Sequence, residues 1–275
     1  MERFGARLRS AMENLGPLCV GIDPHPQLLT AWGLSDDAAG LRKFCETCVS
    51  SMAGRVAVVK PQSAFFERHG AAGVSVLEST IRQLRDAGTL VLLDVKRGDI
   101  GSTAAAYADA YLDPTSPLAS DAITASPYLG FGSLRPMIDR ALDSGAGVFV
   151  LALTSNPEGA QVQRAVGPDK TTVAQAMINA IAQVNEGVAP MGDIGAVIGA
   201  TVGRSALELS TVNGPLLAPG LGAQGGKVDD LVDVFGDATR LVLPSYSREI
   251  LGRGPRVEDL RAAVTRTLDD VRRLL

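Results

Sequence analysis

The chain has 275 residues, 46% of them apolar and 20% charged, with a net charge of −4 and a sequence pI of about 5.3. This is enough apolar material for a large core, which excludes a mostly disordered chain, and an acidic balance without a basic face argues against a nucleic-acid binder. No window of about 18 residues is uninterruptedly apolar, so no membrane span is expected, and three cysteines (Cys19, Cys45, Cys48) with no secretory leader fit a reducing cytoplasm.

Met1–Asn14 has the mixed Glu, Arg and Leu pattern of an amphipathic leading helix. After it, short β-branched apolar runs alternate with longer helix-period stretches. Strands are predicted at Leu18–Asp23, Arg55–Lys60, Thr89–Lys96, Ala122–Ser126, Gly147–Leu153, Ile194–Thr201, Pro215–Pro219 and Thr239–Pro244. Helices are predicted at Ala38–Ala53, Gly73–Ala87, Ser102–Tyr111, Gly132–Ser144, Thr172–Asn185, Arg204–Ser210, Lys227–Phe235 and Val257–Leu274. Ser35–Asp37 supplies capping groups for the helix at Ala38. Runs such as Val56-Ala57-Val58-Val59 are nearly solid in apolar residues, as parallel strands covered on both faces require. Eight β–α units of this length match a single α/β domain over 1–275, a (β/α)8 TIM barrel with a leading N-terminal helix; an open doubly wound sheet is the alternative.

Chemistry in such a barrel gathers at the C-terminal ends of the strands. Those ends read Asp23, Lys60, Asp94 with Lys96, Ser126, Ser155, Thr201, Pro219 and Ser245 to Arg248. Four charges close three apolar strands, and charges beside a packed core need partners. Asp94 and Lys96 are two apart on a strand and should share a side; Asp99 and Thr103 are four apart and should share a helix face. A Lys flanked by carboxylates is held protonated, which suits a proton donor and disfavours a Schiff-base nucleophile. Cys45 and Cys48 form a CxxC on a predicted helix, but the whole chain has only His25 and His69 as histidines, so core packing is expected there rather than metal or redox chemistry.

Gly220-Leu221-Gly222-Ala223-Gln224-Gly225 also matches GxGxxG, a weak dinucleotide fingerprint on its own. Its place after the seventh strand fits a barrel phosphate loop better. Arg248, after the eighth strand, is the candidate phosphate grip, with Arg253 as the fallback. Arg204 in Val202-Gly203-Arg204 is read as helix-opening surface.

The run Leu93-Asp94-Val95-Lys96-Arg97-Gly98-Asp99-Ile100-Gly101-Ser102-Thr103 resembles the signature of the orotidine 5′-phosphate decarboxylases, in their longer bacterial form (type 2). Val20-Gly21-Ile22-Asp23-Pro24, Val59-Lys60-Pro61-Gln62 and Ala218–Gly226 resemble that family's first strand, second strand and phosphate-closing loop. The resemblance implies decarboxylation of orotidine 5′-monophosphate to UMP and CO2, the last step of de novo pyrimidine nucleotide synthesis, with no metal or organic cofactor. It implies that Lys96 protonates C6, that Asp94 sits by the departing carboxylate and orients Lys96, that Lys60 completes the charge array and bonds the ribose, and that Asp23 accepts from a ribose hydroxyl. Ser155 would read the pyrimidine edge, while Pro219, Gln224 and Arg248 would lie around the phosphate. Asp99, with Ile100 and Thr103, would reach into a neighbouring subunit's site, making the working unit a cytoplasmic homodimer. Ser247 departs from the Gly that the family often has before its Arg. A metal-dependent sugar-phosphate decarboxylase or epimerase, a class I aldolase and a non-catalytic nucleotide sensor stand as alternatives.

Overall fold

The structure, a computed structural model, describes residues 2–203 and 207–273. Eight strands form a closed, all-parallel barrel in sequence order: β1 (Cys19–Ile22), β2 (Val58–Pro61), β3 (Leu90–Arg97), β4 (Ala122–Ala125), β5 (Gly147–Leu153), β6 (Ile194–Ile198), β7 (Leu216–Ala218) and β8 (Val242–Tyr246). Closure, with β1 pairing β8 at Cys19–Ser245, removes both sheet edges and sets aside the open doubly wound sheet. Long helices cover the outside: α3 (Ala38–Met52), α5 (Gly70–Asp86), α6 (Gly101–Leu112), α7 (Arg135–Ser144), α9 (Val173–Val184) and α12 (Val257–Arg272). Asp37 caps α3 as expected, its carboxylate accepting from the Gly40 amide at 2.8 Å. No helix among the described residues is long and apolar enough to cross a membrane.

The leading helix α1 (Phe4–Leu15) closes the N-terminal end of the barrel. Phe4 meets Phe149 of β5 edge-to-face at 6.0 Å, in space that exists because position 147 is glycine: a Cβ there would lie 2.3 Å from the Phe4 ring. The Gly5 amide donates to buried Asp193 (2.8 Å), and Arg7 pairs with Asp121 at 2.6 Å. This end is therefore sealed by apolar packing and ion pairs, and the opposite end is left for chemistry.

The strand expected at Thr239–Pro244 starts later, at Val242, because Gly236–Leu241 forms a 3-10 helix, and two further features differ from the sequence reading. Four short helices, α2 (Pro26–Ala31), α4 (Ala64–Glu67), α8 (Ala160–Gln163) and α11 (Arg248–Leu251), were not expected; helices of four to six residues carry too little periodicity to be read. The expected helix Arg204–Ser210 is corrected. Arg204, Ser205 and Ala206, including the reading of Arg204 as surface, lie outside the described residues, and Leu207 to Leu209 are not helical. Side-chain amides take over the backbone pairing there. Gln175 exchanges two hydrogen bonds with the Glu208 backbone (2.8 and 3.2 Å), and buried Asn185 donates to the carbonyls of Ile194 and Val212. Such partners satisfy peptide groups that would otherwise need a helix. A short helix α10 (Asp230–Phe235) follows β7. On α3, Cys45 and Cys48 are free and buried in the core; burial pushes the Cys45 thiol up to about 12, leaving it protonated and part of the packing.

Candidate active site

A cavity of about 400 Å³ opens at the C-terminal end of the barrel. A larger hollow of about 560 Å³ lies beside α5, around Arg82, Arg85 and Asp121, at the end where α1 seals the strands, and none of the strand-end charges reaches it. The first cavity holds Asp23, Lys60, Asp94 and Lys96 together. Asp94 is the hub. One of its oxygens, Oδ2, accepts from Lys60 Nζ at 3.1 Å; the other, Oδ1, accepts from Lys96 Nζ at 2.6 Å and from the Thr124 hydroxyl at 2.7 Å. Lys60 Nζ lies 4.0 Å from Asp23 Oδ1 on its other side.

Burial works against charge on both Lys60 and Asp94, and the neighbouring opposite charges overcome it. The Lys60 side chain is only 7% exposed. Desolvation alone would lower its pKa, yet the carboxylates of Asp94 and Asp23 carry it above the ordinary lysine value. Desolvation likewise opposes ionisation of Asp94, but Lys60 and Lys96, with the hydrogen bonds from Lys96 and Thr124, hold its carboxyl well below the usual carboxylate range. The pair therefore stays fully charged at neutral pH. Lys96 differs: its side chain is 47% exposed, so its ammonium faces the open cavity with one anchor.

The other side of the cavity carries the glycine-rich loop and an arginine. Pro219 and Gln224 line it from the glycine-rich loop, and Arg248 from the start of α11. The loop folds on itself through Gly226 N–H to Gly220 O (3.0 Å) and Gly222 N–H to Gly226 O (2.9 Å). Gly220 has φ +102, a conformation open to glycine and strained for other residues. Arg253 does not line this cavity; it pairs with Glu249 at 3.1 Å. Two buried oxygens here lack a hydrogen-bond partner among the described residues, Asp23 Oδ1 and Ser247 Oγ. Both belong to residues lining the cavity, and such orphans mark where a ligand's polar groups would bind.

The comparisons with known proteins agree with this geometry. Residues 16–263 match the model of the orotidine 5′-phosphate decarboxylase / HUMPS family. The chain belongs to this family. Among its curated relatives, the orotidine 5′-phosphate decarboxylase of Salinispora arenicola is 64% identical over all of this chain and 99% of its own length. That of Streptomyces coelicolor is 58% identical, covering 99% of this chain and 98% of its own. A crystal structure from Streptomyces avermitilis, 57% identical, superposes with a TM-score of 0.97 over all of this chain and 96% of its own. The chain is thus an enzyme of the orotidine 5′-phosphate decarboxylase family.

Three of the residues singled out in the family signature do not enter this cavity. Asp99 is half-buried and its Oδ1 accepts from the Ile100 amide at 2.8 Å; Ile100 is 61% exposed, and Thr103, on α6, is exposed. Ser155 lies two residues beyond the end of β5, exposed, while its neighbour Thr154 lines the cavity. Asp99 and Thr103, expected to share a helix face, do not, because α6 begins at Gly101 and Asp99 precedes it. Sequence reasoning missed Thr124, Gln62, His25 and Phe65, all of which line the cavity. His25 packs on the Phe65 ring at 4.2 Å; desolvation and the Arg248 charge lower its pKa, against the pull of Asp23. Thr124 had a readable signal: it is the one polar residue in Ala122-Ile123-Thr124-Ala125, where Ser126 drew attention instead.

Proposed function

We propose that this enzyme decarboxylates orotidine 5′-monophosphate to UMP and CO2, the closing step of de novo pyrimidine nucleotide synthesis in the cytoplasm. The carrying observation is Asp94 held between two ammoniums, one buried and one facing the cavity, in a chain 64% identical to a named decarboxylase over its full length.

In this reading Arg248, Gln224 and the loop beginning at Pro219 hold the phosphate, Asp23 and Lys60 the ribose hydroxyls, and the Thr154–Ser155 bend meets the pyrimidine edge. That seats C6 over the Asp94–Lys96 pair. The C6–carboxylate bond breaks, its electron pair stays on C6, and CO2 departs. Lys96 Nζ gives its proton to C6 and regains one from water. Asp94 opposes the substrate carboxylate and orients Lys96, so the charge array acts chiefly as electrostatics preorganised for the carbanion-like transition state. The protein's own ammoniums supply the positive charge, and neither metal nor organic cofactor enters the scheme. The catalytic unit is the barrel over 1–275, used as a homodimer in which Asp99, with Ile100 and Thr103, serves the partner's site. The exposure of Ile100 and Thr103 supports that arrangement. So do Tyr128 (77% exposed) and Leu129 (53%), large apolar side chains that follow β4 as Ile100 follows β3, since large exposed apolar side chains at one end of a fold suit a contact surface.

The test is direct. Purified protein treated with a chelator is mixed with orotidine 5′-monophosphate and the orotate absorbance followed. Steady loss of absorbance, abolished in Lys96→Ala while UMP still binds, is expected. No turnover by the wild type, or turnover restored only by Mg2+, would overturn the proposal.

A further inference from the structure

Residues two apart on a regular strand point the same way, but β3 is not regular where Asp94 and Lys96 sit. Its pairing with β4 runs Leu92–Ala122 and Leu93–Ile123, then resumes at Arg97–Ala125, so the four steps from Leu93 to Arg97 face only two on β4. The surplus forms a bulge that includes the cavity-lining Asp94 and Lys96, and bulges of this kind re-aim side chains next to active sites. Lys96 takes up the distortion with φ +45, a left-handed conformation that is costly for a side-chain-bearing residue.

A conformation of that kind persists only if its surroundings enforce it. The bulge takes the Lys96 amide out of the ladder, and the group that receives it is the Thr124 hydroxyl, at 2.9 Å. The same hydroxyl donates to Asp94 Oδ1 at 2.7 Å, the oxygen that holds Lys96 Nζ at 2.6 Å. Thr124 is 1% exposed, so no bulk water can replace it. One hydroxyl thus ties the backbone of Lys96 and the carboxylate that anchors its ammonium into a single ring of contacts, using its one proton and one lone pair.

We propose that Thr124 is a positioning residue for the proton-transfer step, setting the Lys96 backbone and the Asp94 carboxylate relative to each other. Without the hydroxyl the Lys96 amide is orphaned, β3 relaxes toward extended backbone, and Nζ swings away from the reacting carbon. This deepens the decarboxylase reading and rests on it for the turnover measurement.

The experiment compares Thr124→Val, nearly the same shape without the hydroxyl, with Thr124→Ser, which keeps it. In Thr124→Val, kcat should fall about 30- to 100-fold, the consequence of losing two hydrogen bonds at a site where geometry governs rate. UMP affinity should change less than about 3-fold. Thr124→Ser should return kcat to within about 5-fold of wild type. Exchange of the Lys96 amide hydrogen should accelerate at least about 10-fold in Thr124→Val and stay near wild type in Thr124→Ser, a readout that needs no turnover. If Thr124→Val does not fold, Thr124→Cys takes its place with the same expectations. Unchanged kcat, failure of Ser to rescue, or unchanged exchange at Lys96 would each overturn the proposal. A wild type that fails to turn over orotidine 5′-monophosphate while the exchange pattern holds would sink the decarboxylase reading and leave the positioning of Lys96 standing.

Discussion

Replacing Asp94 with Asn removes the hub of the charge array while keeping its shape, and the structure gives the size of the effect. Lys60 Nζ would lose its partner at 3.1 Å and keep only Asp23 at 4.0 Å. With an effective dielectric of about 20, unit charges at those separations attract by about 5 and about 4 kcal/mol. The first is lost, and the desolvation of a nearly buried ammonium remains unrepaid. Removing one member of a buried pair costs roughly 3–5 kcal/mol in such circumstances. Lys96 adds little to that figure, because its half-exposed ammonium can turn to water. For a chain of this size the loss corresponds to a drop in thermal midpoint on the order of 6–15 °C, readable by circular dichroism or calorimetry.

The pH dependence of that difference has a definite sign. Asp94 has a depressed folded-state pKa, so its contribution is complete above the unfolded carboxyl value of about 3.9 and disappears as pH falls below it toward the folded value. Lys60 is raised, so its contribution is complete below the unfolded lysine value of about 10.4 and disappears only as pH climbs through the folded value. The gap between wild type and Asp94→Asn should therefore be flat from about pH 5 to pH 9 and close under acid. An Asn variant as stable as wild type, or more stable, would refute the reasoning and show that the array is held against its own electrostatics by the rest of the barrel.

Gly98 is constrained by space: a Cβ there would lie 2.2 Å from the Ser126 carbonyl oxygen. Gly98→Ala should displace the turn to Asp99 and cut kcat/KM by about 10-fold or more in steady-state assays; unchanged kinetics would show that the loop yields freely. Arg248→Ala should raise KM for the phosphorylated substrate on the order of 100-fold, from two charge-assisted hydrogen bonds, while hardly affecting weak binding of the unphosphorylated nucleoside; equal losses for both would take Arg248 away from the phosphate. Ile100→Asp, placing a charge where a large apolar side chain is 61% exposed, should weaken self-association at least about 10-fold by sedimentation velocity and lower turnover in step. A fully active monomer would remove Asp99 from the partner's site.

The barrel was legible in the chain because its signal is repeated. Gly147–Leu153 was read to the residue, since an apolar run flanked by glycine and polar turns has few other uses, and eight such runs leave only parallel sheets covered on both faces. Asp23, Lys60, Asp94 and Lys96 stood out as charges closing such runs. What the sequence could not carry is any feature whose partner lies far along the chain. The connection after β6 holds its backbone with Gln175 and Asn185, residues that precede it by 33 and 27 positions, and no local period reports that. In the charged run, local spacing determined that Asp94 and Lys96 belong to one strand end. Only the tertiary structure decided how they meet: β4 imposes a bulge, Lys96 turns to a left-handed φ, and Thr124, at 28 positions' distance, receives its amide. Strand parity is a property of one chain segment, whereas a bulge is a property of the two strands that pair across it.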